Sequence, residues 1–204
     1  MKQIIFFNGW GMDINNIVHI HKDKNTIITE INRYHQYTTP KIVEEASEVI
    51  LIAWSLGAQK ATSFYLENGK HITKYIIFNG SCDGFNKESG LPITMAKLTA
   101  NRWNPEVRKR FETKMNGIQK DSSLSQRSCK DQKNELLYLI QNEDNIQSSR
   151  LEENDPKIKI YISRNEKIYP IDNLLNCWKK QQLFFIDDMF HNVFIDTKSW
   201  DQWI

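Results

Sequence analysis

Four aliphatic residues in a row, Val49-Ile50-Leu51-Ile52, run straight into Ala53-Trp54-Ser55-Leu56-Gly57 and then into a stretch rich in small residues. An unbroken apolar run of this length fits a strand buried on both faces, and such strands belong to parallel sheets covered by helices. Five other short runs share this character: Ile4–Phe7, Thr26–Thr29, Tyr75–Phe78, Ile158–Ile162 and Leu183–Ile186. Helical spacing falls between some of them, at Ala58–Glu67 and Ile171–Lys179. Strand-then-helix alternation predicts the α/β class, with right-handed crossovers and a mostly parallel sheet.

Between the fourth and fifth runs the pattern changes. Residues 91–155 are polar, with helix-like patches at Glu106–Met115 and Gln132–Gln141. A structureless loop of that length does not suit a compact domain. The segment is expected to be a helical lid inserted into a core formed by residues 1–90 and 156–204. Ser122–Ser128, a mixture of Ser, Gln, Leu and Arg, is expected to be its mobile part.

The chain of 204 residues suffices for one such domain. Its net charge of +2 is too small to suggest a nucleic-acid protein, so a charged partner must be met by a local patch. Three cysteines, Cys82, Cys129 and Cys177, are odd in number and far apart, which argues against a disulfide framework or a zinc site. Ile4–Phe7 is too short for the apolar core of a signal peptide, and no run approaches a transmembrane helix. A monomer in the cytoplasm, with no membrane contact, is the expectation.

The segment after the third run carries the chemistry. A serine on a sharp turn between a buried strand and a helix is the nucleophile elbow, and residues two positions either side must be small because strand and helix nearly touch there. Ala53 and Gly57 meet that demand around Ser55. The backbone N–H of Leu56 would then face a developing oxyanion. The plainer alternative is a serine that merely caps the helix. A second donor is expected from Asn8-Gly9-Trp10-Gly11, after the first run, with the N–H of Trp10 as candidate and its indole as a pocket wall.

In this arrangement the general base comes last in the chain. Of five histidines only His191 follows the final strand-like run. The orienting acid should follow Ile158–Ile162, where Glu166 stands; Asp83, Asp187 and Asp188 are alternatives. His191 would take the Ser55 proton, Ser55 would attack an ester carbonyl, and water would release the acyl group. No metal or organic cofactor is required.

Several blocks together resemble one family. They are Asn8-Gly9-Trp10-Gly11, Ala53-Trp54-Ser55-Leu56-Gly57, Asn79-Gly80, Ser163-Arg164, Trp178, and His191 with Val193, Phe194 and Trp200. In content, order and spacing they are similar to the BioG-type pimeloyl-acyl-carrier-protein methyl ester esterases. The resemblance implies an α/β-hydrolase fold with several helices shortened to loops and a helical lid. It implies removal of the methyl ester from a pimeloyl chain on acyl-carrier protein, late in pimelate synthesis for biotin. It places the family's Ser and His on Ser55 and His191, its oxyanion donors on Trp10 and Leu56, and its acid on Glu166, where the family usually has Asp. Phe111 and Met115 resemble the family's pocket-lining lid helix. Independently of that likeness, Lys97–Glu135 holds ten Lys or Arg against five Asp or Glu. Arg102, Arg108, Lys109, Arg110 and Lys114 are its densest part, and such a patch would suit an acidic carrier protein, although a mixed-charge helix face is often only solvated. An esterase or thioesterase for another acyl substrate would show the same turn and triad. A non-catalytic binding protein on the same fold is the remaining alternative.

Overall fold

All six apolar runs become strands of one fully parallel sheet in the computed structural model, which describes residues 1–118, 124–142 and 148–204. The strands are β1 (Lys2–Phe7), β2 (Thr26–Ile31), β3 (Glu48–Trp54), β4 (Lys74–Phe78), β5 (Ile158–Ser163) and β6 (Leu183–Ile186), in the order β2-β1-β3-β4-β5-β6. The continuous runs lie at the centre. Ile4 to Phe7, Ile50 to Ala53 and Tyr75 to Phe78 are fully buried, because the sheet is covered on both faces there. Edge strands β2 and β6 are only half-buried along most of their length.

The covering layers are uneven. Helix α1 (Gly57–Asn68) joins β3 to β4, and the seven-residue α5 (Ile171–Cys177) joins β5 to β6. The links β1–β2 and β2–β3 hold only single 3-10 turns, at Ile14–Asn16 and Tyr34–Gln36. Aromatic side chains take the place of missing helices: Phe194 stands edge-on to Phe6, Phe78 and Trp54, at centroid distances of 5.1, 5.4 and 5.7 Å. Such packing supplies the apolar burial that a longer helix would otherwise provide.

The described part of residues 91–155 contributes three α-helices, α2 (Ile93–Arg102), α3 (Pro105–Asn116) and α4 (Cys129–Gln141). The start of α3 is over-determined. Asn104 accepts a hydrogen bond from Val107 N, Pro105 opens the first turn, and Gly117 ends the helix at a φ of 71°. Ser128 caps α4 by accepting from Asp131 N. Helix α2 was not singled out by the sequence pattern, because only Ala96 and Ala100 of its ten residues are buried. The expected mobility of Ser122–Ser128 needs correction where that stretch is described. Ser125 is buried with its Oγ 3.0 Å from Asp13 Oδ2, and the Arg127 side chain is wholly enclosed. Ser122 and Ser123 lie outside the described residues.

The chain enters at β1, crosses to β2 on one side, then returns to β3 on the other. The connections leaving β1 and β3 therefore diverge at the carboxyl end of the sheet. A crevice at such a switch point is where open α/β sheets hold ligands.

Candidate active site

The turn after β3 lies in that crevice. Ser55 has a φ of 56°, in the left-handed region that a non-glycine residue adopts only when its surroundings enforce it. Two glycines do the enforcing. A β-carbon on Gly57 would lie 2.5 Å from the Phe7 carbonyl and 2.6 Å from that of Asn8. One on Gly80, beyond β4, would strike the Ser55 carbonyl and lie 2.8 Å from Ala58 Cβ. The crowding runs from β1 through the turn to the residues after β4, so all three strand ends hold the serine in place. Helix α1 has no side-chain cap, so Ser55 is not spent as a capping residue. Its hydroxyl points elsewhere.

That hydroxyl lies 2.9 Å from His191 Nε2, and His191 Nδ1 lies 2.7 Å from Glu166 Oε2. The other Glu166 oxygen accepts from the backbone N–H groups of Ile168 and Tyr169, at 2.5 and 2.9 Å. Every partner of this carboxyl group is a donor, so the imidazole proton belongs on Nδ1. Nε2 is then free to accept from Ser55. Both His191 and Glu166 are almost wholly buried. The histidine is also gripped from behind: its carbonyl accepts from Trp54 Nε1 at 2.8 Å and from Asn79 Nδ2 at 2.9 Å. Asn79 also accepts from Ser163 N, so one amide links the ends of β4 and β5 to the histidine loop.

The alternative acids are committed elsewhere or remote. Asp187 pairs with Arg164 at 2.6 Å on the surface, Asp188 is exposed, and Asp83 sits beside Cys82. Among the described residues, Cys82, Asp83 and Cys177 are the one group of thiol, imidazole and carboxylate side chains close enough to share an ion. Burial pushes the Cys82 thiol well above its ordinary range, and its Sγ lies 3.4 Å from Cys177 Sγ.

The N–H groups of Trp10 and Leu56 have no backbone or side-chain acceptor among the described residues. Both residues line the same cavity as Ser55. The loop bearing Trp10 is held from above by α4. Gly11 N donates to Glu135 Oε2 at 3.0 Å, Gln132 Nε2 donates to the Gly11 carbonyl at 2.8 Å, and Trp10 Nε1 donates to the Gln132 carbonyl at 2.7 Å. Glu135 pairs with Arg127 at 2.7 Å, with both side chains fully enclosed. Tyr34 Oη closes the underside by donating to the Asn8 carbonyl at 2.5 Å.

In front of Ser55 lies a narrow cavity of about 30 Å³, walled chiefly by Trp10, Trp54, Phe111, Met115, Leu136 and Tyr169. That apolar lining suits the hydrocarbon portion of a small molecule. Phe111 stands edge-on to the Trp10 indole at 5.5 Å, and Met115 is buried beside them. Of the residues expected to form a basic docking patch, Arg102, Lys109, Arg110 and Lys114 are exposed. Arg108 is not, and the expectation is corrected here. Its side chain is 12 % exposed, and its guanidinium donates to Glu112 Oε1 and to the carbonyls of Ser125 and Arg127. It ties α3 to the stretch before α4 and faces no outside partner.

Parallel strand order, a strained serine turn and a histidine reached from the far end of the chain define an α/β-hydrolase fold. Comparison with solved structures agrees. BioG from Haemophilus influenzae is similar at a TM-score of 0.81, with 19 % identity, over 98 % of this chain and 94 % of that one. The esterase EaEST from Exiguobacterium antarcticum follows at 0.68 and 13 %, covering 96 % and 87 %. The 2-hydroxy-6-oxo-6-phenylhexa-2,4-dienoate hydrolase of Rhodococcus sp. strain RHA1 is similar at 0.67 and 12 %, covering 98 % and 87 %. No protein-family model matches the sequence. Among curated proteins, a malonyl-[acyl-carrier protein] O-methyltransferase from Bacteroides fragilis is 24 % identical over 185 residues. That match takes in 88 % of this chain but only 37 % of the relative, so the chain spans little more than a third of its length.

Sequence reasoning missed Gln132, Arg127 and Glu135, the anchors of the Trp10 loop. They carry no local signature: their partners at Trp10, Gly11 and Tyr34 lie about a hundred residues earlier. Tyr169 was also missed, although it lies three residues beyond Glu166.

Proposed function

We propose that the chain is a serine esterase of the BioG type, which removes the methyl ester from a pimeloyl chain on acyl-carrier protein. The observation that carries this reading is the unbroken relay Glu166–His191–Ser55 opening into an apolar cavity. In the proposed reaction Ser55 Oγ attacks the ester carbonyl as its proton passes to His191 Nε2. The carbonyl oxygen becomes an oxyanion facing the N–H groups of Trp10 and Leu56. The carbon–oxygen bond to the alkoxy group then breaks, and that oxygen takes the proton from His191 and leaves as methanol. Water repeats the sequence on the acyl-serine, releasing the acid and restoring Ser55. Glu166 holds the imidazole tautomer and balances its transient charge.

The substrate rests on two supports. One is the structural likeness to BioG. The other is the curated relative, whose name describes O-methyl transfer onto an acyl group borne by carrier protein, which makes the kind of methyl ester that this reaction would hydrolyse. The test is methanol release from pimeloyl-carrier-protein methyl ester, with and without Ser55→Ala, together with labelling by a fluorophosphonate. The wild type should turn over the ester and label once, and Ser55→Ala should do neither. Absence of labelling in the wild type would rule out the esterase. Labelling with no turnover of the carrier-bound ester would leave an esterase for another acyl substrate.

A further inference from the structure

Tyr169 is 3 % exposed and lies on the wall of the Ser55 cavity. Its ring stacks on the His191 imidazole, with centroids 6.1 Å apart and planes inclined by 20°. Its backbone N–H is fixed by Glu166, 2.9 Å away, so the carboxylate that orients the imidazole also orients this ring. The phenol hydroxyl reaches toward the Ser55 side chain without completing a hydrogen bond, and among the described residues it has no other partner. It is fully enclosed. Burial and the nearby Glu166 carboxylate push its ionisation upward, so the group is a neutral O–H donor.

A buried hydroxyl whose nearest partner, Ser55, is too poorly placed for a full hydrogen bond is costly, because it has given up water and gained little in return. The position is one that a ligand can satisfy. During ester cleavage the alkoxy oxygen must lie within reach of both Ser55 Oγ and His191 Nε2, since it leaves the carbon that Ser55 attacks and takes the proton that Nε2 holds. A hydroxyl stacked on that imidazole and directed at that serine borders the same space. We propose that the Tyr169 hydroxyl donates a hydrogen bond to the leaving-group oxygen of the ester and is a third catalytic donor alongside the Trp10 and Leu56 N–H groups. Tyr169 keeps its own proton throughout. The hydrogen bond strengthens as negative charge grows on the alkoxy oxygen, and His191 supplies the proton that completes the alcohol. The proposal rests on the esterase reading and adds a preference: such a donor matters most for alkoxides, which leave poorly, and little for leaving groups that carry charge well.

The test is Tyr169→Phe, which keeps the stacked ring and removes only the hydroxyl, assayed on methyl hexanoate and 4-nitrophenyl hexanoate. Comparing kcat/KM confines the readout to the acylation half-reaction. The value for the methyl ester should fall about 10- to 100-fold, and that for the nitrophenyl ester by less than about 3-fold. The Tm should hold or rise, since an unpaired buried hydroxyl has been removed. Equal losses on both esters, or no loss on either, would overturn the proposal. So would a lower Tm accompanied by loss of fluorophosphonate labelling, which would make the hydroxyl a structural strut. A wild type that neither labels nor cleaves either ester would overturn the esterase reading and this donor with it. An active wild type matched by Tyr169→Phe would overturn the donor alone.

Discussion

Glu166 is one methylene longer than aspartate, and the structure shows where that length is used. One oxygen is committed to the N–H groups of Ile168 and Tyr169, which fixes the carboxylate against its own loop, and the other reaches the imidazole. Shortening the side chain would force a choice between the two. Glu166→Asp is therefore expected to cost far more activity than a like-for-like exchange suggests. Glu166→Gln should be worse, because its amide can offer the imidazole the wrong tautomer. Loss of about 1,000- to 10,000-fold in kcat is the scale for such a change, read from steady-state kinetics on a soluble ester. Glu30 makes a second prediction at this scale. It sits beside the Trp10 loop, accepting from Asn8 at 2.7 Å. Burial raises its carboxyl above the ordinary value of 4.5, against the lowering pull of the hydrogen bonds from Asn8 and Asn32. A raised native value means that the folded state binds the proton more readily. The cost to folding is thus absent below 4.5, grows as pH rises through the raised value, and is complete at neutral pH. Glu30→Gln should raise the Tm at pH 7, and the gain should shrink toward zero at pH 4.

At the scale of elements, the feature that decides most is the clasp between α4 and the β1 loop. Glu135 accepts from Gly11 N, Tyr34 N and Arg127 in a fully buried setting. Removing it would take from the enclosed Arg127 cation its fully buried counter-charge and leave it only the more exposed Asp131 at 2.9 Å. Glu135→Ala should destabilise the fold by about 3–5 kcal/mol in urea denaturation, whereas replacing Glu135 and Arg127 together with apolar residues should cost much less. This clasp also marks the limit of what the sequence reveals. The strands were legible because residues buried on two faces must be apolar without interruption, as in Ile50–Ala53. The serine turn was legible because its crowding permits only small residues at fixed offsets, and the meeting of Glu166 and His191 with Ser55 because chain order places them in loops after particular strands. Helix α2 was not legible, since so little of it is buried. Arg108 was misread for a related reason. A charge in a single sequence does not reveal its partner, and here the partners are the Ser125 and Arg127 carbonyls, 17 and 19 residues away.

For the whole molecule, the proposed function requires a large acidic carrier to reach the cavity. The exposed cations Lys109, Arg110 and Lys114 share α3 with Phe111 and Met115, which line the cavity. Arg110 reaches Glu106 at 3.2 Å, but both side chains are mostly exposed, and a surface pair of that kind holds its members weakly. If α3 receives the carrier protein, Lys109→Glu combined with Lys114→Glu should lower kcat/KM for the carrier-bound ester about 10-fold at low salt. The deficit should narrow as ionic strength rises. The free methyl ester should be cleaved as before. Arg108 is unsuited to this test, because its reversal would break the α3 connection and confound docking with folding.

The clasp on the β1 loop also limits how the cavity can open. Lifting α4 away from the sheet would pull on the same backbone that presents the Trp10 N–H, so an entrance made on that side would dismantle part of the reaction centre as it admitted a guest. Among the described residues, helices α2 and α3 make no hydrogen bond to the loop and meet it through the edge-on contact of Phe111 with the Trp10 indole, while Ala96, Thr99, Phe111 and Met115 on them border the cavity. In the proposed reaction, the side of α2 and α3 is therefore the one on which the cavity can widen without breaking that clasp, and a substrate tethered to a bulky carrier would come in past the exposed cations of α3.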